Sequence, residues 1–340
     1  MQTIAATMPV TQFGRTGMRV SRIVLGTMTF GAQADERTAH AIMDVAAERG
    51  VDFIDTADMY PIPSIPETYG RTEEIVGRWL RGKRDRFVLA TKGHNPMGPG
   101  PNDRGNSRVH LIRALDASLK RLQTEYVDLY QIHRWDETTP IEETLATLDD
   151  LRRAGKIRYA GASNLAAWQL MQSLWTSATC HLVRFDSAQP RYNLLYRQIE
   201  PEMVPACVAN GVAIMVFNPL AAGMLTGKYR SGEPPREGTR FTLAGQSGVL
   251  YGRRYWQTET IALVERLSAD LASRGKSMTH VALRWTLDQP GITCAIVGAS
   301  KPEQLADSLG AVAIELDDAD RAACDAAWYA LPRRRPSEEP

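Results

Sequence analysis

Short runs of apolar residues alternate along the chain with longer stretches in which apolar residues recur every three or four positions. The short runs are typical of buried β-strands, and the longer stretches are typical of amphipathic helices. After a hairpin predicted over residues 10–23, the order becomes strand, loop, helix. The pattern predicts eight strands, at residues 23–25, 51–54, 87–90, 126–132, 157–160, 183–187, 212–217 and 294–297.

Helices are predicted between these strands, and glycine residues after several of them are C-terminal stop signals. Their predicted ranges are 36–49, 73–81, 109–122, 141–153, 166–175 and 199–210. Because strands that alternate with helices pair in parallel, eight of them favour a closed (β/α)8 TIM barrel, forming a single domain over residues 1–340. A doubly wound open sheet is the alternative, but no Gly-x-Gly-x-x-Gly motif follows the first strand.

Two stretches depart from this alternation. Residues 218–257, after the seventh strand, contain many Gly, Pro and Arg residues and show little periodicity. A loop of that length inside a barrel is usually functional, so a long functional loop is predicted there. Residues 332–340 are charged and rich in proline, and we expect this tail to be frayed.

Composition narrows the class of function. The chain has 340 residues, with 40 Lys and Arg against 39 Asp and Glu, so it lacks the basic field of a nucleic-acid or membrane-surface protein. No run reaches the ~18 apolar residues of a membrane span, and the first residues lack a signal-peptide pattern. The four cysteines lie far apart without zinc-ligand spacing. We therefore expect a cytoplasmic protein without a metal site, either monomeric or homo-oligomeric, whose partner is a small molecule.

Polar residues follow the apolar runs at several predicted strand ends. Asp55 ends the second strand, with Tyr60 five residues later, and Lys92 and His133 end the third and fourth strands. Ser163, Asn164 and Gln189 follow the fifth and sixth strands. In a (β/α)8 barrel the active site lies at the carboxyl ends of the strands, so these side chains are candidates for one site.

Four of these residues make chemical sense together. A free tyrosine has a pKa near ~10, and a nearby lysine ammonium lowers that pKa by favouring the phenolate. Asp55 can hold Lys92 charged and oriented, while His133 can hydrogen-bond to a carbonyl oxygen or relay its proton. Tyr60 could then protonate a carbonyl oxygen while another group delivers hydride to the carbon.

Each residue also has an ordinary structural explanation. Asp55 and Lys92 could form a plain buried ion pair, Tyr60 could pack in a loop, and His133 could be a core histidine with satisfied hydrogen bonds. Asn164 and Gln189 could cap loops in the same way. Their joint occurrence at neighbouring strand ends is what favours catalysis.

Longer motifs resemble one known family. Residues 50–60 read GVDFIDTADMY, residues 70–77 GRTEEIVG, residues 128–133 DLYQIH and residues 155–164 GKIRYAGASN, and Thr91 precedes Lys92. In this order they resemble the aldo-keto reductases over residues 14–309. The resemblance implies that Tyr60 is the general acid, that Lys92 and Asp55 tune it, and that His133 orients the substrate carbonyl.

The resemblance also implies an NADPH site. Ser163, Asn164 and Gln189 would hydrogen-bond the nicotinamide carboxamide, and Phe217 would stack on its ring. Residues 217–229 resemble the loop over the pyrophosphate, and residues 298–305 resemble the segment that holds the 2′-phosphate. Asn218 replaces a common serine, and residues 307–308 replace Glu-Asn. The implied contacts are Gly26, Thr27, Met28, Asp55, Ser163, Asn164, Gln189, Phe217, Asn218, Pro219, Leu220, Gly223, Leu225, Gly227, Lys228, Gly298, Ser300, Lys301, Gln304 and Ser308.

Residues 59–70 form an insertion beside Tyr60 that is absent from the shortest members of the family. It resembles the insertion of a bacterial subgroup that shares features with potassium-channel β subunits. Pocket candidates are Met28, Phe30, Tyr60, His133 and Trp135, with Trp256 nearby.

The expected function is NADPH-dependent reduction of an aldehyde or ketone. The alternatives are an NADPH-binding regulatory subunit, similar to the channel β subunits, and a lyase or hydrolase that uses a metal or paired carboxylates. The sequence does not name the substrate.

Overall fold

The computed structural model describes residues 7–332. An antiparallel hairpin, β1 (Val10–Gln12) and β2 (Arg19–Ser21), opens this part of the chain and confirms the first prediction. Phe13, between the two strands, is fully buried and meets the Phe53 ring edge-on at 5.8 Å. The Arg15 amide donates to the Gly211 carbonyl, just before a barrel strand begins. The hairpin therefore closes the amino-terminal end of the barrel and leaves the carboxyl end open.

Eight parallel strands form a closed barrel, as the alternation predicts. They run in chain order around it, and the last strand pairs with the first. Their bounds are β3 (Ile23–Gly26), β4 (Phe53–Asp55), β5 (Val88–Gly93), β6 (Val127–Ile132), β7 (Ile157–Ser163), β8 (Phe185–Gln189), β9 (Ala213–Val216) and β10 (Ile292–Gly298). The open-sheet alternative is thus excluded.

Several strands extend further than the apolar pattern predicts. The longest extensions at the carboxyl end take β5 to Gly93, β7 to Ser163 and β8 to Gln189, because polar residues at the rim still pair with their neighbours. Lys92 pairs with Gln131, and Ser163 pairs with Gln189. The strand pairing itself therefore carries the candidate side chains to one rim.

Eleven α-helices and five short 3-10 helices lie within residues 7–332. Several begin where the sequence offers a cap, and Asp35, for example, accepts a hydrogen bond from the Thr38 amide. Their bounds are α1 (Glu36–Glu48), α2 (Arg71–Leu80), α3 (Arg108–Leu122), α4 (Ile141–Arg153), α5 (Ala167–Cys180), α6 (Met203–Asn210), α7 (Gly245–Tyr255), α8 (Thr258–Ser273), α9 (Met278–Asp288), α10 (Pro302–Leu309) and α11 (Asp318–Ala330).

Two predictions about these segments need correction. α6 begins at Met203 rather than at residue 199. Pro205 then lies in the first turn, where a missing amide hydrogen is tolerated, whereas a start at 199 would put it in the helix interior. Part of the long loop over 218–257 is helical, because α7 spans Gly245–Tyr255. Gly248, near the start of α7, leaves no room for a Cβ beside the Leu243 carbonyl oxygen, a close local contact that apolar periodicity does not reveal.

The predicted fraying of the tail concerns residues that, from 333 onward, lie outside the described range. Among the helices between residues 7 and 332, none combines the length and apolar character needed to span a membrane. No three His, Cys, Asp or Glu side chains in that range are grouped as metal ligands.

Candidate active site

Lys92 is the buried centre of the site. It lies near the end of β5, is fully buried, and donates from Nζ to Asp55 Oδ2 at 2.6 Å and to the Thr56 carbonyl at 2.8 Å. Burial alone would lower the pKa of Lys92, but Asp55 and Tyr60 outweigh it, and the net pKa is raised. The side chain is therefore a permanent ammonium ion at neutral pH.

Asp55 is held by three donors. Besides the ammonium on Oδ2, its Oδ1 accepts from Gln131 Nε2 at 3.1 Å and from Gln189 Nε2 at 3.0 Å. The carboxylate is only 3% exposed, so these bonds replace its lost hydration. Gln131 was missed by sequence reasoning. Its signal was available, because it stands two residues before His133 near the end of the predicted fourth strand and so shares its face.

Gln189 reaches the rim at the predicted place, but its amide nitrogen is occupied inside the protein. It donates to Asp55 and, at 3.1 Å, to Gln131 Oε1. Contact of Gln189 with a nicotinamide stays a prediction, in which its own Oε1 is the atom left to meet the cofactor.

Tyr60 lies over the ammonium, and Lys92 Nζ is 5.1 Å from the centre of its ring. Burial raises the pKa of Tyr60 and the Lys92 charge opposes it, with a net pKa above the usual value. Lys92 acts in the predicted direction, but the expectation of a net lowered pKa is wrong, because desolvation of the phenolate is the larger effect. Tyr60 is a neutral phenol that holds its proton at physiological pH.

His133 faces Tyr60 across the mouth of the barrel. The two rings are 6.0 Å apart and nearly perpendicular. Burial and the charges of Lys92, Arg134 and His94 hold the pKa of His133 well below its usual value. The imidazole is therefore neutral, and it can donate a hydrogen bond from one nitrogen and accept one at the other. We call Asp55, Tyr60, Lys92 and His133 the proton-donor cluster.

The residues predicted to hold the nicotinamide amide lie together at the next strand ends. Ser163 Oγ donates to the Gln189 carbonyl at 3.0 Å, and Asn164 Nδ2 donates to the His133 carbonyl at 3.0 Å. Asn164 is exposed, with a positive φ of 56°. Phe217 lies partly exposed directly after β9. Their arrangement fits a flat amide-bearing ring, although contact with one stays a prediction.

The segment after β9 makes sharp turns at residues whose φ is positive. Asn218 has a φ of 63°, and Ala222 and Gly223 have φ values of 59° and 92°. The Asn218 side chain accepts from the Ala222 amide at 2.6 Å, so the residue that replaces the common serine stabilises this turn. Among the other predicted contacts in this segment, Leu220, Gly223 and Gly227 are partly exposed, while Pro219 and Leu225 are buried.

Four cationic side chains lie near the ends of β9 and β10. Within residues 7–332, none of the four forms an ion pair with a carboxylate. Burial and the charge of Arg236 lower the pKa of Lys228. At α10, Ser300 bonds Gln304 through its amide and hydroxyl at 3.0 and 3.1 Å, beside the exposed Lys301. We call this group the cationic rim; its members are Lys228, Arg236, Arg240 and Lys301.

Comparison with known proteins decides the family. Residues 22–329 match the model of the aldo/keto reductase family. The chain belongs to the aldo/keto reductases. It is 38% identical to an uncharacterised oxidoreductase, YrpG, of Bacillus subtilis, with 91% of this chain and 93% of that protein aligned. It is 34% identical to a probable voltage-gated potassium channel subunit beta of Oryza sativa subsp. japonica, covering 88% and 89%. It is also 34% identical to L-glyceraldehyde 3-phosphate reductase of Escherichia coli O157:H7, covering 88% and 86%. The chain is therefore an oxidoreductase of this family.

Arg240 of this oxidoreductase was missed by sequence reasoning. Its Nη1 donates to the Tyr251 hydroxyl at 3.1 Å and lies 3.7 Å from Met28 Sδ. Gln33 donates to the Gly238 carbonyl at 2.8 Å, which ties this segment to the loop after β3. Residues 238–251 therefore cross the open rim between β3 and β10. The segment has no periodicity, so only the fold reveals what it spans.

The remaining predicted residues differ in how accessible they are to a ligand. Thr27 is fully buried and donates to the Asp55 carbonyl, while Ser308 is 6% exposed on α10. Phe30 is fully buried in the outer hydrophobic core, so it presents no surface to a substrate. Trp135 is partly exposed and meets the Trp168 ring edge-on at 5.9 Å. The strand-end residues Gly26 and Gly298 pair with each other at the rim.

Proposed function

We propose that this protein is an NADPH-dependent carbonyl reductase that converts an aldehyde or ketone to an alcohol. The observation that carries the proposal is the neutral phenol of Tyr60 over an ammonium ion that a buried carboxylate holds in place. A general acid must hold its proton until charge develops on the oxygen that receives it. The phenol meets this requirement at neutral pH, and the ammonium stabilises the phenolate that remains.

The steps assigned to the chain are those of a proton donor. A bound nicotinamide cofactor supplies the hydride that the carbonyl carbon receives. Tyr60 donates its proton to the carbonyl oxygen as negative charge develops there. Lys92 stabilises the resulting phenolate, Asp55 keeps Lys92 in position, and His133 donates a hydrogen bond to the same oxygen. Solvent then returns a proton to Tyr60.

The cationic rim supports a phosphate-rich cofactor. Lys228 and Arg240 are partly exposed at the open rim, where their charged side chains can form charge-assisted hydrogen bonds with an anion. Lys301 and Ser300 lie at the amino terminus of α10, where helix amides also favour a phosphate. We assign this second position to the 2′-phosphate, which distinguishes NADPH from NADH.

A regulatory role is the second candidate, and the similarity to channel β subunits is what favours it. The complete proton-donor cluster favours catalysis. Light scattering separates the two: a stable tetramer without reductase activity would support the regulatory subunit. We further propose a cytoplasmic location, supported by the absence of disulfides among the four cysteines, all of which are free thiols.

The test is Tyr60→Phe, with NADPH consumption followed over a panel of aldehydes and ketones. We expect a loss of about 10²-fold or more in kcat, because the proton donor is removed while the ring remains. Tyr69→Phe, in the same loop, is the matched control and should behave as the parent. Quenching of tryptophan fluorescence by NADPH should persist in both variants. Unchanged activity in Tyr60→Phe would show that the assigned acid is wrong.

A further inference from the structure

His133 has a neighbour that the reaction scheme above does not use. Asn95, three residues after Lys92, places its Nδ2 2.9 Å from His133 Nδ1. An amide nitrogen donates and does not accept, so Nδ1 of the imidazole must be the acceptor. In a neutral imidazole the single ring proton then resides on Nε2.

Hydrogen bonds on both sides hold this contact in place. The His133 amide donates to the Gly93 carbonyl at 2.9 Å. The Asn106 side chain links His94, in the loop after β5, to Arg134, in the loop after β6. Its Oδ1 lies 2.9 Å from Nδ1 of the His94 ring, and its Nδ2 donates to the Arg134 carbonyl at 2.9 Å. Asn106 is only 2% exposed. The loops after β5 and β6 are thus joined, and these bonds fix the backbone next to Asn95 and His133.

We propose that Asn95 is a positioning residue that holds His133 in the tautomer with its proton on Nε2, so that this nitrogen donates a hydrogen bond to the substrate carbonyl. The catalytic meaning of this inference rests on the proposed reductase function, whereas the tautomer itself does not. The Tyr60 and His133 rings are close enough, at 6.0 Å, for both to reach one carbonyl oxygen. The opposite tautomer would present a lone pair to that oxygen and repel it.

The charges around His133 make the tautomer matter. Lys92, Arg134, His94 and the neutral Tyr60 are the titratable groups near it, and with burial the positive charges keep the pKa of His133 well below normal. An imidazolium ion would donate from both nitrogens whatever its neighbour did. A neutral ring donates from one nitrogen only, and Asn95 selects which.

The tautomer can be measured directly in the parent protein. Nitrogen-15 NMR of the histidine-labelled protein distinguishes protonated from unprotonated ring nitrogens, and the loss of one of six histidine spin systems in His133→Gln assigns the signal. We expect a proton on Nε2 and none on Nδ1. A proton on Nδ1 in the parent would overturn the proposal. This readout needs no substrate, so it stands even if no carbonyl compound is reduced.

Asn95→Asp should reverse the preference, because a carboxylate accepts from Nδ1. The carboxylate should also raise the pKa of His133, leaving an imidazolium at low pH and an Nδ1-protonated neutral ring above its new pKa. Between about pH 6 and pH 9, kcat/KM for carbonyl reduction should then fall by about tenfold or more in Asn95→Asp as the Nε2 donor is lost. The parent should lack this decline.

Two further variants keep the test decisive. Asn102→Asp adds the same charge to an exposed position of the same loop and should follow the parent profile. Asn95→Leu removes the contact without adding charge, and we expect kcat to fall several-fold with little change in KM and no new pH dependence. If Asn95→Asp shows the parent's NMR tautomer and the parent's pH profile, Asn95 does not position His133.

Discussion

At the ends of β4 to β6 the charged groups of the site meet partners within the protein, whereas around β9 and β10 the charges face an open rim. Lys92 and Asp55 are buried and share a 2.6 Å ion pair. Lys228 and Arg240 are partly exposed, and each lies within two residues of a glycine with positive φ, Gly227 and Gly238. The difference indicates that the proton-donor cluster is assembled by folding, and it supports the proposal that a bound anion completes the cationic rim.

This division has an energetic reason. A buried ion pair is costly to desolvate and strongly destabilising to break, so its geometry must be complete in the folded chain. Clustered cations at a rim repel each other mildly in water, and the folded protein is stabilised when an anion binds to them. Substitutions in the two regions should therefore separate stability from cofactor affinity.

The largest effect is expected for Lys92→Met. It should abolish reduction and lower the free energy of unfolding by about 3–5 kcal/mol, because Asp55 is left buried without its cation. Urea denaturation measures the loss. Lys156→Met breaks an ion pair of the same 2.6 Å length to Asp116 on the surface and should cost about 1 kcal/mol or less. Equal losses in the two variants would contradict a prebuilt proton-donor cluster.

Lys228→Ala and Arg240→Ala should act on the cofactor instead. We expect KM for NADPH to rise by about tenfold or more in each, because a charge-assisted hydrogen bond contributes roughly 1.5–3 kcal/mol. Without cofactor, their unfolding should match the parent, and NADPH should raise their melting temperature less. Steady-state kinetics and thermal unfolding measure this, with the exposed Lys120→Ala as control. An unchanged KM would remove the cationic rim from the proposed site.

Asp58 is an exception among the charged groups near the ends of β4 to β6, because its carboxyl group lacks well-formed hydrogen bonds in the described part of the chain. It is fully buried, and neither carboxyl oxygen accepts a well-formed hydrogen bond within residues 7–332. Burial and the nearby Glu73 raise the pKa of Asp58 well above normal. The folded protein then keeps this proton while the unfolded chain loses it above about pH 4, so stability falls as pH rises from there toward the folded pKa.

Asp58→Asn should remove that slope, which is at most about 1.4 kcal/mol per pH unit. The measurement is the free energy of unfolding of parent and variant at several values from about pH 5 to pH 7. The parent should lose stability relative to the variant as pH increases. Parallel curves would mean that Asp58 is ionised in the folded protein.

Much of the site was predictable because strand ends share one rim. Asp55, Lys92 and His133 each follow an apolar run, and the barrel brings them together as expected. Asn95 and Arg240 lie in segments without periodicity, so nothing local indicates what they contact. Helix α7 was missed by sequence reasoning for the same reason, since it lies in a stretch with little apolar periodicity.

By itself, the sequence determined the barrel and the order of polar residues around its mouth, because hydrophobic period and strand-end chemistry are local properties that each segment carries alone. Only the tertiary structure decided which partners those residues take and in which direction their pKa values move. Gln189 donates to Asp55 across 134 residues of chain, and burial outweighs Lys92 in setting the pKa of Tyr60. Hydrogen-bond partners and desolvation depend on atoms that only folding brings near, so no local pattern contains them.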